Sequence, residues 1–167
     1  MKAAKSEIER RREFDAITRQ LRPDLYRYAY WLGGDRQLAE DVVQEALLRG
    51  WRAWTELRDP AAAKSWLISI VRREHARTFE RKRIATVDIA IMEEQLAGPD
   101  DDPDLEAMRQ AIARLAPEYR EPLVLQVLLG YQAKEIAALL ETTSGAVLTR
   151  LHRARAQLRE ALGIEPD

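Results

Sequence analysis

The chain has 167 residues, of which 46% are hydrophobic and 33% charged, and its formal net charge is −1. This length is enough to bury one moderate core or two small ones. The absence of cysteine excludes disulfides, thiolate zinc sites and thiol nucleophiles. No apolar run approaches the roughly 18 residues of a membrane span, and the charged start MKAAKSEIERRREF has no signal-peptide core. We expect a soluble, cytoplasmic protein.

The small net charge averages over segregated segments. RREHARTFERKR, residues 72–83, has six basic and two acidic residues, whereas residues 84–108 have eight acids and no Lys or Arg. Gly and Pro surround an Asp run in this acidic stretch, which is a composition typical of a linker. We predict two small helical domains, 1–85 and 105–167, joined by a flexible acidic linker, 86–104.

An all-α fold is predicted because apolar residues recur at three and four positions, without the alternation of a half-buried strand. In the N-terminal half we expect helices over about 14–32, 36–54 and 60–83. Asp35 and Asp59 are N-cap candidates for the second and third. In the C-terminal half the pattern predicts helices over about 105–115, 117–129, 134–140 and 144–162.

The second predicted helix has two distinct faces. Its buried stripe comprises Ala39, Val42, Val43, Ala46 and Gly50. The opposite arc carries Glu40, Asp41, Gln44 and Glu45, with the apolar Leu48 among them. An apolar residue ringed by carboxylates suits a partner with a basic, partly apolar surface. The alternative is a solvated acidic face with one stray leucine.

The third predicted helix groups Trp66, Ile70, Arg73 and Arg77 on one side, within about 60° of one another. An aromatic ring followed by arginines offers single-stranded DNA a stacking surface and phosphate contacts. The alternative is that Trp66 belongs to the core and the arginines form a solvated face.

The last two helices, with the turn Glu141-Thr142-Thr143 between them, have the pattern of a helix-turn-helix motif. Ala137 is a small residue facing the partner helix, and Val147, Leu151, Ala154 and Leu158 form the buried side of the last helix. Small residues and donors lie outward, as needed to enter a major groove. The candidates for contacting duplex DNA are Thr149, Arg150, His152 and Arg153. A plain helical hairpin with a basic face is the alternative.

Two segments resemble a known family in the right order. LYRYAYWLGGDRQLAEDVVQEALLRGWRAW with SWLISIVRREHARTFERKR resembles region 2 of the sigma-70 transcription initiation factors. LAPEYREPLVLQVLLGYQAK with EIAALLETTSGAVLTRLHRARAQLREAL resembles region 4. Two matches without an intervening domain are typical of the two-domain subgroup, the extracytoplasmic-function (ECF) sigma factors.

The resemblance implies an alternative sigma factor that binds core RNA polymerase and directs promoter recognition, DNA melting and transcription initiation. Core polymerase would bind Glu40, Asp41, Gln44, Glu45 and Leu48. The minus-ten element would be bound by Trp66, Ile70, Arg73 and Arg77, together with the preceding loop. The minus-thirty-five element would be bound by Thr149, Arg150, His152 and Arg153. An anti-sigma factor is the expected inhibitory partner, and the linker acids would suit a basic channel of the polymerase.

Three positions depart from the family pattern. Arg73 stands where relatives commonly have Asn, which puts the identity of the flipped base in question. Glu141 stands where the turn usually has Gly, and a left-handed non-Gly residue costs roughly 1 kcal/mol, so we expect a turn of different shape. Leu148 stands where a basic or polar residue is common, which implies fewer phosphate contacts.

Other functions stay open at this point. An enzyme is disfavoured, because the chain has two separated histidines, no Gly-rich phosphate loop and no metal-ligand spacing; no cofactor is expected. A helix-turn-helix regulator independent of polymerase, or a sigma-like decoy that binds an anti-sigma factor, would fit the same helices. Binding to core polymerase separates the regulator from a sigma factor, and promoter-dependent transcription separates the decoy.

Overall fold

The computed structural model describes residues 6–85 and 102–165, and within these ranges the chain forms helices and no strand. The N-terminal half comprises α1 (Glu7–Gly33), α2 (Arg36–Ala53) and α3 (Ala63–Ala85), with 3-10 turns at Trp54–Glu56 and Pro60–Ala62. The C-terminal half comprises α4 (Pro103–Arg114), α5 (Pro117–Val127), α6 (Ala133–Leu139) and α7 (Ser144–Ala161). The predicted all-α fold class is confirmed. Of the predicted linker, residues 86–101 lie outside the described residues.

Local capping explains where the helices begin. The Asp35 carboxylate accepts the N–H of Leu38 at 3.0 Å and caps α2 as predicted. Asp59 accepts the N–H of Ala61 at 3.0 Å, but it caps the 3-10 turn Pro60–Ala62 and α3 itself begins three residues later than predicted, at Ala63. Helix α1 begins at Glu7 rather than near Phe14, seven residues earlier than its apolar periodicity indicated. The reason is a capping box, in which the side chains of Ser6 and Glu9 each accept the other's backbone N–H.

Helices α1, α2 and α3 pack against one another around the predicted stripe of α2. All five stripe residues are buried: Ala39, Val42, Val43, Ala46 and Gly50. At Gly50 a Cβ atom would lie 2.9 Å from Cδ2 of Leu67 on α3. This separation is too short for a side chain, so the glycine sets how closely α2 approaches α3.

An aromatic cluster packs beside Gly50, where a Cβ atom would lie 3.6 Å from Cε2 of Phe14. The ring of Phe14 lies 5.5 Å from that of Trp51 and 5.2 Å from that of Trp54, and Trp54 lies 6.0 Å from Trp66. These are ordinary separations for packed aromatic pairs. The cluster joins α1, the end of α2 and the start of α3.

The four C-terminal helices bury the side of α7 that the sequence indicated. Val147, Leu151 and Ala154 are buried, Leu158 is half-buried, and Ala137 of α6 is buried against them. This core is continuous with that of the N-terminal half. Leu25 and Tyr28 of α1 belong to the same buried cluster as Leu123 and Leu125 of α5.

Candidate functional site

The outward face of α2 presents an apolar side chain among acids. Glu40, Asp41 and Gln44 are exposed and Glu45 is half-buried. Leu48 is 49% exposed, so its apolar atoms lie at the surface on the same side of α2. The structure therefore brings together the five residues predicted to bind core polymerase.

Two adjoining grooves run between this face and α1. The first, of about 350 Å³, is lined by Arg11, Phe14, Asp15, Arg22, Gln44, Leu47, Leu48 and Trp51. The second, of about 500 Å³, is lined by Arg19, Arg22, Pro23, Tyr26, Gln37, Glu40, Asp41, Val43 and Gln44. Arg22 and Gln44 line both. A partner seated on α2 would therefore also meet the arginines of α1.

The α1 side of these grooves was missed by the sequence prediction. Arg11, Arg19 and Arg22 are exposed, and among the described residues no carboxylate forms an ion pair with them. Their spacing of eight and three residues places them on one side of a helix. That periodicity was a usable signal, but only the packing of α1 beside α2 shows which face it borders.

The four predicted minus-ten residues form one stripe of α3 but differ in exposure. Arg73 and Arg77 are exposed, whereas Trp66 and Ile70 are half-buried and pack against the core. Trp66 also contacts Trp54 of the aromatic cluster, with the two rings tilted by 57°. The stripe thus offers two accessible guanidinium groups beside a partly accessible aromatic ring.

A buried carboxylate holds one of these arginines. Glu74 is 4% exposed, and its Oε1 lies 3.5 Å from Nη1 of Arg77 and 2.7 Å from Nε of Arg49. Nε of Arg49 also lies 3.2 Å from Oε1 of Glu45. The N–H of this Nε is not aimed at either carboxylate, so these contacts are ion pairs rather than directed hydrogen bonds. They link the acidic face of α2 to the basic stripe of α3.

Helix α7 presents the predicted duplex-binding residues outward. Thr149, His152 and Arg153 are exposed and Arg150 is half-buried. The Thr149 hydroxyl donates to the carbonyl of Gly145 at 3.0 Å, so its methyl group and remaining lone pair are what a base would meet. Arg155 instead contacts the side-chain oxygen of Gln126 on α5, which removes it from the outward set.

The turn before α7 keeps the left-handed conformation despite lacking glycine. Glu141 has φ 53° and is the one non-glycine residue with positive φ among the described residues. The N–H of Thr142 donates to the carbonyl of Ala137 at 2.9 Å, the bond that defines a Schellman motif. The expectation of a differently shaped turn was wrong. The hydrogen bond and the packing of α6 on α7 hold Glu141 in the conformation that glycine would adopt without strain.

Leu148 of α7 is 57% exposed, next to Thr149. The helix-turn-helix motif therefore has an apolar surface at this position, whereas a basic residue there would attract DNA phosphate.

Within the described ranges, no helix is long and apolar enough to cross a bilayer. Nor does that part of the chain gather three or more His, Asp or Glu side chains as a metal site would.

Family models match both halves of the chain. The model for sigma-70 region 2 matches residues 17–84, and the model for sigma-70 region 4 matches residues 105–158. The first match contains the candidate residues of α2 and α3, and the second contains those of α7.

Individual relatives agree with these matches. The chain is 33% identical over 145 residues to the ECF RNA polymerase sigma factor SigL of Mycobacterium tuberculosis, covering 83% of this chain and 82% of the relative. It is 31% identical over 159 residues to the ECF sigma factor SigE of Mycolicibacterium smegmatis, covering 89% of this chain and 61% of that relative.

Two solved structures share the fold. The sigma factor RpoE of Bartonella quintana, in complex with the anti-sigma factor NepR, matches with a TM-score of 0.75 and 24% identity over 92% of this chain and 98% of that one. CnrH, in complex with the cytosolic domain of CnrY, matches with a TM-score of 0.69 and 23% identity over 93% and 91%. Given its two sigma-70 regions and its similarity to SigL, the chain belongs to the ECF sigma factors of RNA polymerase.

Proposed function

We propose that this sigma factor engages core RNA polymerase and the two promoter elements through three separate faces, on α2, α3 and α7. As an ECF sigma factor it is an alternative sigma factor that directs transcription initiation with RNA polymerase and is not an enzyme. The observation that supports the proposal is that each predicted set has exposed polar or charged members on its own helix. These are Glu40, Asp41 and Gln44 on α2, Arg73 and Arg77 on α3, and Thr149, His152 and Arg153 on α7.

The α2 face, with its α1 border, is the proposed polymerase site. Exposed apolar atoms contribute about 25 cal/mol per Å² when a partner covers them, and Leu48 offers such atoms one turn beyond Gln44 and Glu45 on the same helix. The surrounding carboxylates of Glu40, Asp41 and Glu45, with the amide of Gln44, would orient a basic partner. The arginines of α1 then favour acidic side chains at the edge of the same partner surface.

The α3 stripe is the proposed minus-ten site. Arg73 and Arg77 would bind phosphates, and the accessible edges of Trp66 and Ile70 would support an unstacked base. Capturing unpaired bases shifts the duplex equilibrium toward the open form without a catalytic residue. The acid–arginine contacts of Glu74 hold Arg77 in place before DNA arrives.

The outward side of α7 is the proposed minus-thirty-five site. Thr149, Arg150, His152 and Arg153 span about one helical turn, which is the length of helix that contacts base edges in a helix-turn-helix complex. Gly145 has no atom within 4 Å of where its Cβ would lie, so the start of α7 leaves room for the duplex backbone.

The same proposal includes the domain limits 1–85, 86–104 and 105–167, a cytoplasmic location and control by an anti-sigma factor. The limits are supported by the extents of the two family matches. The solved relatives RpoE and CnrH are each described in complex with such a partner or its cytosolic domain. Within the predicted linker, Asp102 caps α4 by accepting the N–H of Asp104 at 3.0 Å. This acid therefore stabilises the start of a helix.

Run-off transcription tests the proposed function. Purified protein is added to core RNA polymerase with a randomised promoter library, and the transcribed templates are sequenced. A sigma factor produces transcripts whose templates share two spaced elements. Tight binding to a palindromic duplex without affinity for core polymerase would instead indicate an independent regulator, and core-independent binding to an anti-sigma factor without transcripts would indicate a decoy.

A further inference from the structure

We propose that Leu148 of α7 is a specificity-determining residue, which selects thymine at one position of the minus-thirty-five element by contact with the thymine 5-methyl group. This inference rests on the proposed function, because it concerns the duplex that α7 would bind. Leu148 is suited to this role by its exposure, by its place on the helix and by the small residues beside it.

Leu148 is the exposed apolar side chain of α7. Within this helix, which is described in full, the other large apolar side chains are either buried, as for Val147 and Leu151, or half-buried, as for Leu158. Leu148 is 57% exposed, so the core of the C-terminal half forms without it. A single exposed leucine is ordinary on a protein surface, and the position on α7 is what gives this one its meaning.

Leu148 lies in the part of α7 that contacts bases in a helix-turn-helix complex. The helix begins at Ser144, where the Thr143 side chain accepts the N–H of Ala146 at 3.1 Å. Leu148 is therefore in the second turn. The N-terminal residues of a recognition helix contact base edges in the major groove. An exposed side chain at this point meets base edges as well as the sugar-phosphate backbone.

The neighbours of Leu148 leave it uncovered toward the start of the helix. Residues three and four positions apart adjoin on a helix surface, and in the preceding turn these are Gly145 and Ser144. Apart from the local helix itself, nothing lies within 4 Å of where a Gly145 Cβ would be. Seven positions after Leu148, the long side chain of Arg155 contacts Gln126 of α5. A group on DNA can thus approach Leu148 without displacing another side chain.

The thymine 5-methyl is the apolar group that the major groove offers to such a side chain. Guanine, adenine and cytosine present hydrogen-bond donors and acceptors there instead. Leucine has no hydrogen-bonding group, so covering one of these edges would leave a polar base atom desolvated and unpaired. Contact with the methyl group removes apolar surface from water on both sides. Leu148 should therefore disfavour the other three bases as well as favour thymine.

Basic side chains of α7 supply affinity that Leu148 does not. His152, one turn later, and Arg153 are exposed, and Arg150 is half-buried. Contacts from such side chains to phosphates fix a helix on the duplex without reading its sequence. A change at Leu148 should therefore alter base preference more than it alters overall affinity.

Uracil isolates the proposed contact, because it differs from thymine only in lacking the 5-methyl group. Its base pair keeps every hydrogen bond of the original. Loss of one methyl contact should weaken binding roughly three- to fivefold. Leu148→Ala removes the other side of the same contact. In the Leu148→Ala protein the uracil substitution should therefore have no further effect, which is the sign of direct coupling between the two groups.

The test begins with duplexes that the full chain selects from a randomised library, with core polymerase and without it. The upstream element that they share is synthesised with each thymine, on either strand, replaced in turn by uracil. Competition binding then compares the parent chain with Leu148→Ala, in the state that selected the element. Val127→Ala is the matched control, since Val127 is 66% exposed but lies at the end of α5, outside α7. Circular dichroism checks that each variant is folded.

Leu148→Arg provides a second, opposite change. An arginine there replaces the apolar contact by attraction to phosphate, so binding to all duplexes should tighten. The slope of log affinity against log salt should steepen by about one, and the difference between thymine and uracil should disappear. A Leu148→Arg protein that keeps this difference would contradict the proposal.

We expect one thymine at which uracil weakens binding three- to fivefold in the parent and in Val127→Ala, and not in Leu148→Ala. An equal loss in Leu148→Ala, no loss at any thymine, or selected duplexes that share no thymine would overturn the role of Leu148. Loss of core binding in Leu148→Ala with an unchanged uracil effect would assign Leu148 to a protein contact instead. Run-off transcription of the selected templates judges the proposed function separately. A Leu148-dependent uracil effect without transcripts would reject the proposed function and leave the role of Leu148 intact.

Discussion

Oε1 of Glu74 lies 2.7 Å from Nε of Arg49, and this ion pair joins the helix of the proposed polymerase face to the helix of the proposed minus-ten face. The same carboxylate lies 3.5 Å from Arg77. Because Glu74 is buried, it is a fixed anchor for a cation that DNA would contact at the surface. The ion pair favours orientations of Arg77 close to Glu74, and any such restriction lowers the entropic cost of the proposed contact with DNA.

Arg77→Ala should slow the formation of the open promoter complex roughly tenfold, because a charge-assisted contact with phosphate is lost. The slope of log affinity against log salt should fall by about one. Affinity for core polymerase should stay nearly unchanged. Permanganate footprinting of unpaired thymines measures the first effect, and fluorescence anisotropy measures core binding. Arg52→Ala, an exposed arginine at the end of α2, is the matched control; equal loss of both activities would contradict the division between α2 and α3.

The double variant Asp41→Ala, Leu48→Ala should weaken core binding roughly tenfold or more, since it removes the apolar centre of the face and a neighbouring charge. Both side chains are exposed, so the melting temperature should change little. Titration of labelled core polymerase gives the dissociation constant. Glu7→Ala with Ile8→Ala changes an equally exposed acidic and apolar pair at the start of α1 and should have no effect. Unchanged affinity in the α2 variant would remove the assignment.

Arg22→Glu should also weaken core binding, by roughly five- to twentyfold at low salt, because Arg22 lines both grooves beside α2. A carboxylate there would repel the acidic edge of the partner, and added salt should reduce the difference. The comparison is with Arg12→Glu, an exposed arginine that lines neither groove. If Arg12→Glu weakens core binding as much as Arg22→Glu does, only the overall charge of α1 matters and the grooves have no specific role.

Glu141→Gly should raise the free energy of unfolding by about 1 kcal/mol, since glycine adopts positive φ without a steric penalty. For a protein of this size the melting temperature should rise by about 2–4 °C. Glu141→Ala removes the same carboxylate but keeps a Cβ at φ 53°, so it isolates the backbone effect and should not stabilise. Equal melting temperatures for the two variants would show that the turn carries no strain.

Because of His75, the free energy of unfolding should decrease in mild acid. Burial, and then the charge of Arg120, lower the pKa of His75 from 6.5 to about 4; it shares a cavity with Arg72, Arg73 and Glu121. Because the folded pKa is below the unfolded value, the unfolded chain binds the proton more strongly between pH 6.5 and pH 4. The neutral imidazole thus favours folding above pH 6.5, and this contribution is lost as pH falls through that window.

Between pH 7 and pH 5 this loss should be about 2 kcal/mol of unfolding free energy. Urea denaturation at the two values measures it. His75→Gln should show a smaller decrease in the free energy of unfolding over the same interval. The carboxylates are the same in both proteins and affect both equally. Parallel pH profiles for the parent and His75→Gln would mean that His75 is accessible to protons in the folded chain.

The features predicted correctly from the sequence are those fixed by residues close together in the chain. The cap of α2 at Asp35 follows from one side chain and a backbone N–H three residues away. The buried side of α2 follows from helical periodicity. The early start of α1 was missed because Ser6 and Glu9 precede its apolar pattern, although their spacing is that of a capping box.

Contacts between segments that are distant in the chain could not be predicted from the sequence. Tyr28 and Glu121 are 93 positions apart, and nothing in either local sequence indicates that they meet. The same holds for the arginines of α1, whose periodicity predicts a face but not its neighbour. Half-burial of Trp66 depends on Trp54 across an intervening loop, so the sequence left its core and surface interpretations open.

The hydrophobic core that continues from α1 into α5 also determines how the free chain melts. Two separate domains would unfold in two steps, each with its own enthalpy, whereas domains that share buried leucines lose their packing together. Calorimetry of the free protein should therefore show a single cooperative transition, and a chain whose halves are held apart by a partner should lose that cooperativity. The contact between the halves thus determines how much of the chain unfolds as one cooperative unit, both on heating and when a protease cleaves the unfolded chain.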